Sequence, residues 1–157
     1  MESKYESMDI ARWFIRRNNS AKEYDGGDDI SLLKLLKLLY YAEGCSLASD
    51  AGSLFPDPIL AWEHGPVVEK VWKSFEDPYH LETKYEEDEK AFRKLKEDDK
   101  NLLENVFDVF GKYSAWGLRN KTHEEDPWRI TTKNGTVFNG VIDRGLITKY
   151  FKENYIR

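Results

Sequence analysis

Between Leu32 and Ala48 the chain carries Leu32, Leu33, Leu35, Leu36, Leu38, Leu39, Tyr40 and Tyr41, with hardly any polar face beyond Lys34 and Lys37. A helix that is apolar on nearly every side cannot lie on a surface; other elements have to enclose it. Ser31 offers it an N-cap, and Asp50-Ala51-Gly52 a stop. The rest of the molecule must therefore fold around this segment. The expected fold is mainly α, a compact single-domain helical bundle (residues 1–157) around a buried central helix. A chain of 157 residues is long enough to do this without disulfides or a structural metal. Cys45, the one cysteine, falls inside the same apolar segment and reads as a buried thiol in a reducing compartment.

Around that core the spacing predicts amphipathic partners. Ser7 can cap a first helix running towards Asn18, with Ala11, Phe14 and Ile15 as its apolar stripe, and residues 18–29 have turn composition. Leu54 to Trp62, with Pro56 and Pro58, reads as extended chain with room for a short strand. Pro66 suits a first helical position, followed by Val67, Val68, Val71, Trp72 and Phe75 on an apolar face. Residues 76–96, which contain Glu86-Glu87-Asp88-Glu89, read as a solvated or mobile charged segment. Leu102, Leu103, Val106, Phe107, Val109 and Phe110 keep helical spacing from Asp98 or Asp99 to a stop at Gly111. Ser114 can cap a short helix to about Lys121. Asn134-Gly135 is a turn signal whose flanks, 128–132 and 136–138, can pair as a small β-hairpin near the C-terminus. Ile142, Leu146, Ile147, Tyr150 and Phe151 mark a terminal helix with Asp143 near its start.

Charge narrows the function classes. The net charge of −5 repels phosphate backbones, so direct nucleic-acid binding is disfavoured. The cluster Lys4, Arg12, Arg16 and Arg17 reads as a solvated helix face, and neither a helix-turn-helix nor a basic arm is present. Neither a signal peptide nor an apolar run long enough for a membrane span is evident, which points to a cytoplasmic protein. No nucleophile–base triad can be assembled and no Gly-rich phosphate loop appears, so neither an enzyme nor a cofactor is expected.

Three blocks carry a family resemblance. The first is Leu35-Leu36-Lys37-Leu38-Leu39-Tyr40-Tyr41-Ala42-Glu43-Gly44. The second is Leu54-Phe55 followed by Ile59-Leu60-Ala61-Trp62-Glu63-His64-Gly65-Pro66-Val67-Val68, with Val71-Trp72 a turn later. The third is Tyr113-Ser114-Ala115, Leu118, and Thr122-His123-Glu124-Glu125-Asp126-Pro127-Trp128. Together they resemble the Panacea domain of SocA-like and GepA-like antitoxins, with departures at Glu43, Cys45, Leu60 and Arg119. The resemblance implies an antitoxin of a bacterial or phage toxin–antitoxin system, which neutralises a protein toxin encoded by an adjacent gene. Partners in such families include translation inhibitors resembling small alarmone synthetases, as well as membrane and replication toxins; an acidic antitoxin suits the translation class best. A proteolytic adaptor that hands the toxin to an AAA+ protease is the alternative within the family, and homo-oligomers stay open.

The motif residues are the candidate toxin-binding set: Tyr40, Tyr41, Trp62, His64, Gly65, Pro66, Val67, Trp116, Thr122, His123, Pro127 and Trp128. Each also has an architectural reading. Gly65-Pro66 builds a loop-to-helix corner, whose helix N-terminus can also receive an acidic partner side chain. Trp62 and Trp72 are expected in the core, while Trp116 and Trp128 stand between core anchor and interface hot spot. Tyr40 and Tyr41 leave one helix in different directions, which leaves one of them free to face outward. His64 and His123 either serve structure or converge with Glu63, Glu124, Glu125 or Asp126 on a metal-dependent or hydrolytic site. Their spacing matches no common metal signature.

Overall fold

The computed structural model describes residues 3–156. It is mainly helical, with eight helices and three short strands among these residues, in the order α1 (Ser7–Asp25), α2 (Leu32–Ala48), β1 (Leu60–Trp62), β2 (Gly65–Val67), α3 (Glu69–Lys73), α4 (Tyr85–Lys94), α5 (Glu97–Phe110), α6 (Ala115–His123), α7 (Asp126–Thr131), β3 (Gly140–Val141) and α8 (Arg144–Asn154). The leucine-rich α2 is the axis, as its composition requires. Ser31 Oγ accepts the Lys34 N–H at 3.2 Å to cap it, and α1, α5, α6, α8 and β2 all pack against it. Leu35, Leu38, Leu39, Tyr40, Tyr41 and Ala42 are fully buried, so neither tyrosine faces outward.

Lys37, Glu43 and Ser46 of α2 are buried as well and hydrogen-bonded, while the half-buried Lys34 donates to the Gly111 carbonyl at 2.5 Å. Glu43 accepts from Ser53 Oγ (2.5 Å), the Leu54 N–H (2.6 Å) and Arg144 Nε (2.7 Å). Arg144 also donates to the Phe55 and Asp57 carbonyls at 3.0 and 2.7 Å, which pins the start of α8 to the 53–57 loop. A charged group removed from water has to be paired in this way.

Several elements depart from the expectations. The helix α1 continues past Asn18 to Asp25, because Asn18 bonds the Asp28 carbonyl at 3.1 Å instead of ending the helix. Its cap is Glu6, whose N–H donates to the Asp9 carboxylate at 3.2 Å, and Ser7 lies within the first turn. Pro66 begins no helix. It pairs with Ala61 in β2, an edge strand of a sheet ordered β2-β1-β3, where its missing N–H goes unrequired; α3 starts three residues later.

Residues 85–94 form a helix, although their charge suggested solvation. Asp88 is buried between Arg12 and Arg16, each 3.2 Å away, and Arg12 also reaches Glu87 at 2.7 Å. The basic residues of the N-terminal region are therefore paired: Lys4 meets Asp99 at 3.1 Å and Arg17 meets Glu104 at 2.9 Å. No hairpin forms around Asn134-Gly135. Residues 126–131 are helical, and Lys133, Asn134 and Gly135 take φ of 51°, 59° and 83° to unwind the end of α7. Residues tolerant of left-handed backbone terminate helices as readily as they turn hairpins. The strand that follows, β3, pairs antiparallel with β1, flanked by Asn139 N–H to the Ala61 carbonyl and Ile142 N–H to the Ile59 carbonyl, both 2.8 Å. Asp143 caps α8 through the Leu146 N–H at 3.2 Å.

Candidate functional site

The second motif block is a two-strand hairpin. Trp62 pairs with Gly65 across the Glu63-His64 turn, and Gly65 has φ of 109°. A Cβ there would lie 2.6 Å from Lys37 Cε and 2.8 Å from Thr122 Oγ1, so only glycine lets the hairpin approach both α2 and α6. This contact joins all three blocks. Lys37 Nζ, fully buried, donates to the Pro66 carbonyl at 3.0 Å. Trp128 Nε1 donates to the Trp62 carbonyl at 2.8 Å, while its ring stacks on His123 with centroids 3.7 Å apart.

The structure divides the candidate residues by depth. Tyr40, Tyr41, Gly65, Pro66, Val67, Thr122, Pro127 and Trp128 are buried and hold the architecture together. Trp62 and His123 are half-buried, and His64 and Trp116 are exposed. The side chains of His64 and Trp116 touch, with ring centroids 5.7 Å apart, and the Arg119 guanidinium lies 4.5 Å over the Trp116 ring. On the other side of the hairpin, Trp62 meets Trp72 edge-on at 5.2 Å. Trp72, expected in the core, is 45% exposed, because α3 has only five residues and buries Val71 instead. Between the hairpin and the first turns of α2 runs a groove of about 680 Å³ whose walls include Leu33, Leu36, Trp62, His64, Trp72 and Phe138.

Below this surface lie two polar clusters of opposite character. Glu125, buried at the N-cap of α7, accepts from Tyr40 OH (3.0 Å), Tyr41 OH (3.2 Å) and Tyr155 OH. Burial raises its carboxyl to about 7, and the three hydroxyl bonds offset part of that rise. Burial and the same carboxyl group push all three tyrosines upward. Burial also raises the Cys45 thiol to about 12, which leaves it unreactive.

The second cluster is built from basic residues, two of which burial drives towards neutrality. Burial, and then Arg119, lowers the Lys37 ammonium to about 7. Burial lowers His123 to about 4, with Arg119 and Lys37 acting in the same direction and a bond to the Glu63 backbone opposing them. Among the described residues no group of three or more His, Cys, Asp or Glu side chains is placed to hold a metal ion. His64 and His123 instead contact tryptophan rings.

The sequence offers Glu125 only as one of four carboxylates that could join His64 and His123, and Arg119 only as a departure from the family pattern; it gives Lys37 no role and places Trp72 in the core. The one available signal was Lys37 itself, a charge in a helix with no solvated face. Among the described residues no helix is long and apolar enough to cross a membrane.

A helical domain wrapped around a leucine-rich axis, with a tryptophan-bearing hairpin on its flank, is a scaffold that presents a surface. A family model described as antitoxin SocA-like, Panacea domain, matches residues 35–129, from α2 into α7. The chain belongs to this SocA-like antitoxin family. Every candidate residue named above falls within the match. Comparison with curated proteins and with solved structures yields no match.

Proposed function

We propose that this protein is a cytoplasmic antitoxin that neutralises an adjacently encoded toxin by stoichiometric binding, without turnover, and that residues 1–157 act as one domain. The family supplies the antitoxin role. The observation that supports direct binding is the aromatic surface around the hairpin: Trp72 and Trp116 are 45% and 53% exposed on either side of Trp62 and His64. Exposed indoles gathered beside a groove are the composition of interface hot spots, where truncation costs about 2 kcal/mol or more. The helices outside the family match, α1 and α8, also pack on α2. A toxin that inhibits translation is the preferred partner class, since an acidic domain suits a site built for nucleotides or tRNA.

Co-expression with each adjacent gene, scored by growth, tests the reading. A toxic neighbour that is rescued and co-purifies is the expected result, with Trp72→Ala and Trp116→Ala each weakening the complex by roughly 30-fold. Toxin half-life separates the two antitoxin modes: it stays constant or lengthens under occlusion, and shortens if the chain is a proteolytic adaptor. If no neighbour is toxic, the proposal fails.

A further inference from the structure

The groove beside the hairpin combines a fixed aromatic wall with unbalanced negative charge. Trp62 Nε1 donates to Asn139 Oδ1 at 2.8 Å, and the Trp62 carbonyl accepts from Trp128 Nε1 at 2.8 Å, so ring and backbone are both held. Trp72 meets that ring edge-on and is 45% exposed, and Phe138, 44% exposed, shares the apolar lining with Leu33 and Leu36. Two carboxylates belong to the same lining, Glu63 in the turn after Trp62 and Glu69 at the start of α3. Glu69 and Trp72 are three residues apart on α3 and so share a helix face. Among the described residues Glu63 has no cation within 4.0 Å, and Glu69 meets only Lys73, at 2.9 Å, in an exposed pair that solvent weakens. The basic groups of the lining do not offset these carboxylates. Lys37 is fully buried, donates to the Pro66 carbonyl, and has its ammonium lowered by burial to about 7. The His64 ring lies against Trp116, which is not part of the lining. Glu76 and Asp77 directly precede Pro78, a further lining residue, in a protein whose net charge is −5.

Indole faces attract cations through the negative side of their quadrupole, and arginine suits them best when a carboxylate is near, because its planar guanidinium stacks on the ring while its N–H fork meets the carboxylate. Both halves of that contact are present in the groove, and electrostatic complementarity selects a basic occupant over an acidic one. We propose that the groove receives an arginine of the partner protein, its guanidinium lying on Trp72 and pairing with Glu63 and Glu69, while the apolar residues that flank it rest on Leu33, Leu36 and Phe138. Tryptophan and arginine are the residues in which interface hot spots are richest, and hot spots tend to face one another across an interface. Sites for phosphate-bearing substrates are built with arginine, so capture of one such side chain would occlude a toxin of that kind directly. The proposal rests on the reading of this face as the toxin-binding surface, and it names the chemistry the toxin brings.

The test uses the full-length, isotope-labelled protein and four blocked peptides, acetyl-Leu-Arg-Phe-amide and its Lys, Gln and Glu counterparts, followed through the indole N–H signals of Trp62 and Trp72, with Trp13 of α1 as a reference outside the groove. The Arg peptide is expected to shift Trp62 and Trp72 but not Trp13, and to bind at least about tenfold more tightly than the Glu peptide, with Gln between them and Lys weaker than Arg. The preference for Arg over Gln should shrink as salt is raised from about 50 to about 500 mM. Glu63→Gln combined with Glu69→Gln is expected to remove that preference with thermal unfolding unchanged, because neither side chain is buried. Equal responses to the Arg, Gln and Glu peptides, no response, or a preference for Glu overturns the proposal, as does a preference for Arg that persists in the double variant. A Lys peptide that binds as tightly as the Arg peptide overturns the choice of arginine. If the Trp62 and Trp72 signals move with protein concentration alone and sedimentation shows a dimer, a second copy covers the groove and the proposal falls. If a toxin is rescued and bound equally well by the double variant, the groove assignment falls and the antitoxin reading stands. If the Arg peptide binds as expected but no neighbour is toxic, the reverse holds.

Discussion

Gly65 shows how much rests on single atoms. It combines a left-handed φ of 109° with a space in which a methyl group would overlap Lys37 and Thr122. Gly65→Ala is therefore expected to cost about 3 kcal/mol or more, because backbone strain and overpacking add. Urea unfolding measures it, and loss of the Trp62–Trp72 contact should appear in the same variant. Glu125 gives the molecule a pH dependence of known sign. Its carboxyl moves from 4.5 in the unfolded chain to about 7 in the folded one, so the folded state holds a proton that the unfolded state releases. The stabilisation linked to this group is complete below about 4.5 and is lost as pH rises through 7. His123 runs the other way: lowered from 6.5 to about 4, it contributes above 6.5 and loses that contribution as pH falls towards 4. Comparison with Glu125→Gln isolates the carboxylate. The wild type should lose roughly 3 kcal/mol relative to this variant between pH 4.5 and 7.5, read from denaturant midpoints.

Among the elements, α4 depends most on distant charge. Its buried Asp88 is held by Arg12 and Arg16 of α1, and removing one partner of a buried ion pair costs on the order of 3–5 kcal/mol. In Asp88→Asn, amide exchange across 85–94 is expected to accelerate while α2 and α5 stay protected; uniform protection would show that α4 is held by packing alone. This helix also marks the limit of what the sequence discloses. Periodicity and caps announced α2, α5, α6 and α8, because Ser31, Gly111, Ser114 and Asp143 act within a few residues of the elements they bound. The run Glu86-Glu87-Asp88-Glu89 was misleading because its counter-charges sit more than seventy residues earlier in the chain. Likewise Pro66 and Asn134-Gly135 have local preferences satisfied by more than one structure. Sheet pairing with β1 decided the first, and the end of α7 the second. For the site, the motif blocks announced residues that the fold gathers around one hairpin, but depth was illegible: whether a tryptophan in a conspicuous motif faces in or out depends on which neighbours arrive to cover it.

For the molecule as a whole, the motif serves two purposes that stability measurements can separate. Trp128 is 5% exposed and bonded to the Trp62 backbone, so Trp128→Ala is expected to cost about 3–5 kcal/mol whatever the partner. Trp116 is 53% exposed, and Trp116→Ala should leave stability within about 0.5 kcal/mol while weakening toxin binding. Thermal unfolding alongside a pull-down distinguishes the two; comparable destabilisation by both would deny Trp116 a surface role.

One edge of β1 is completed only by residues 139–142, and Glu43 waits for Arg144, 101 positions later. On the ribosome, therefore, the hairpin that carries Trp62 and His64 emerges long before anything can lock it in place. The hairpin is locked only when residues 139–144 have left the exit tunnel, at a synthesis rate of about 5–20 residues per second. Any arrest of elongation before this segment emerges would leave the hairpin without the partners that fix it. The supply of working copies thus follows elongation through this late segment, not initiation.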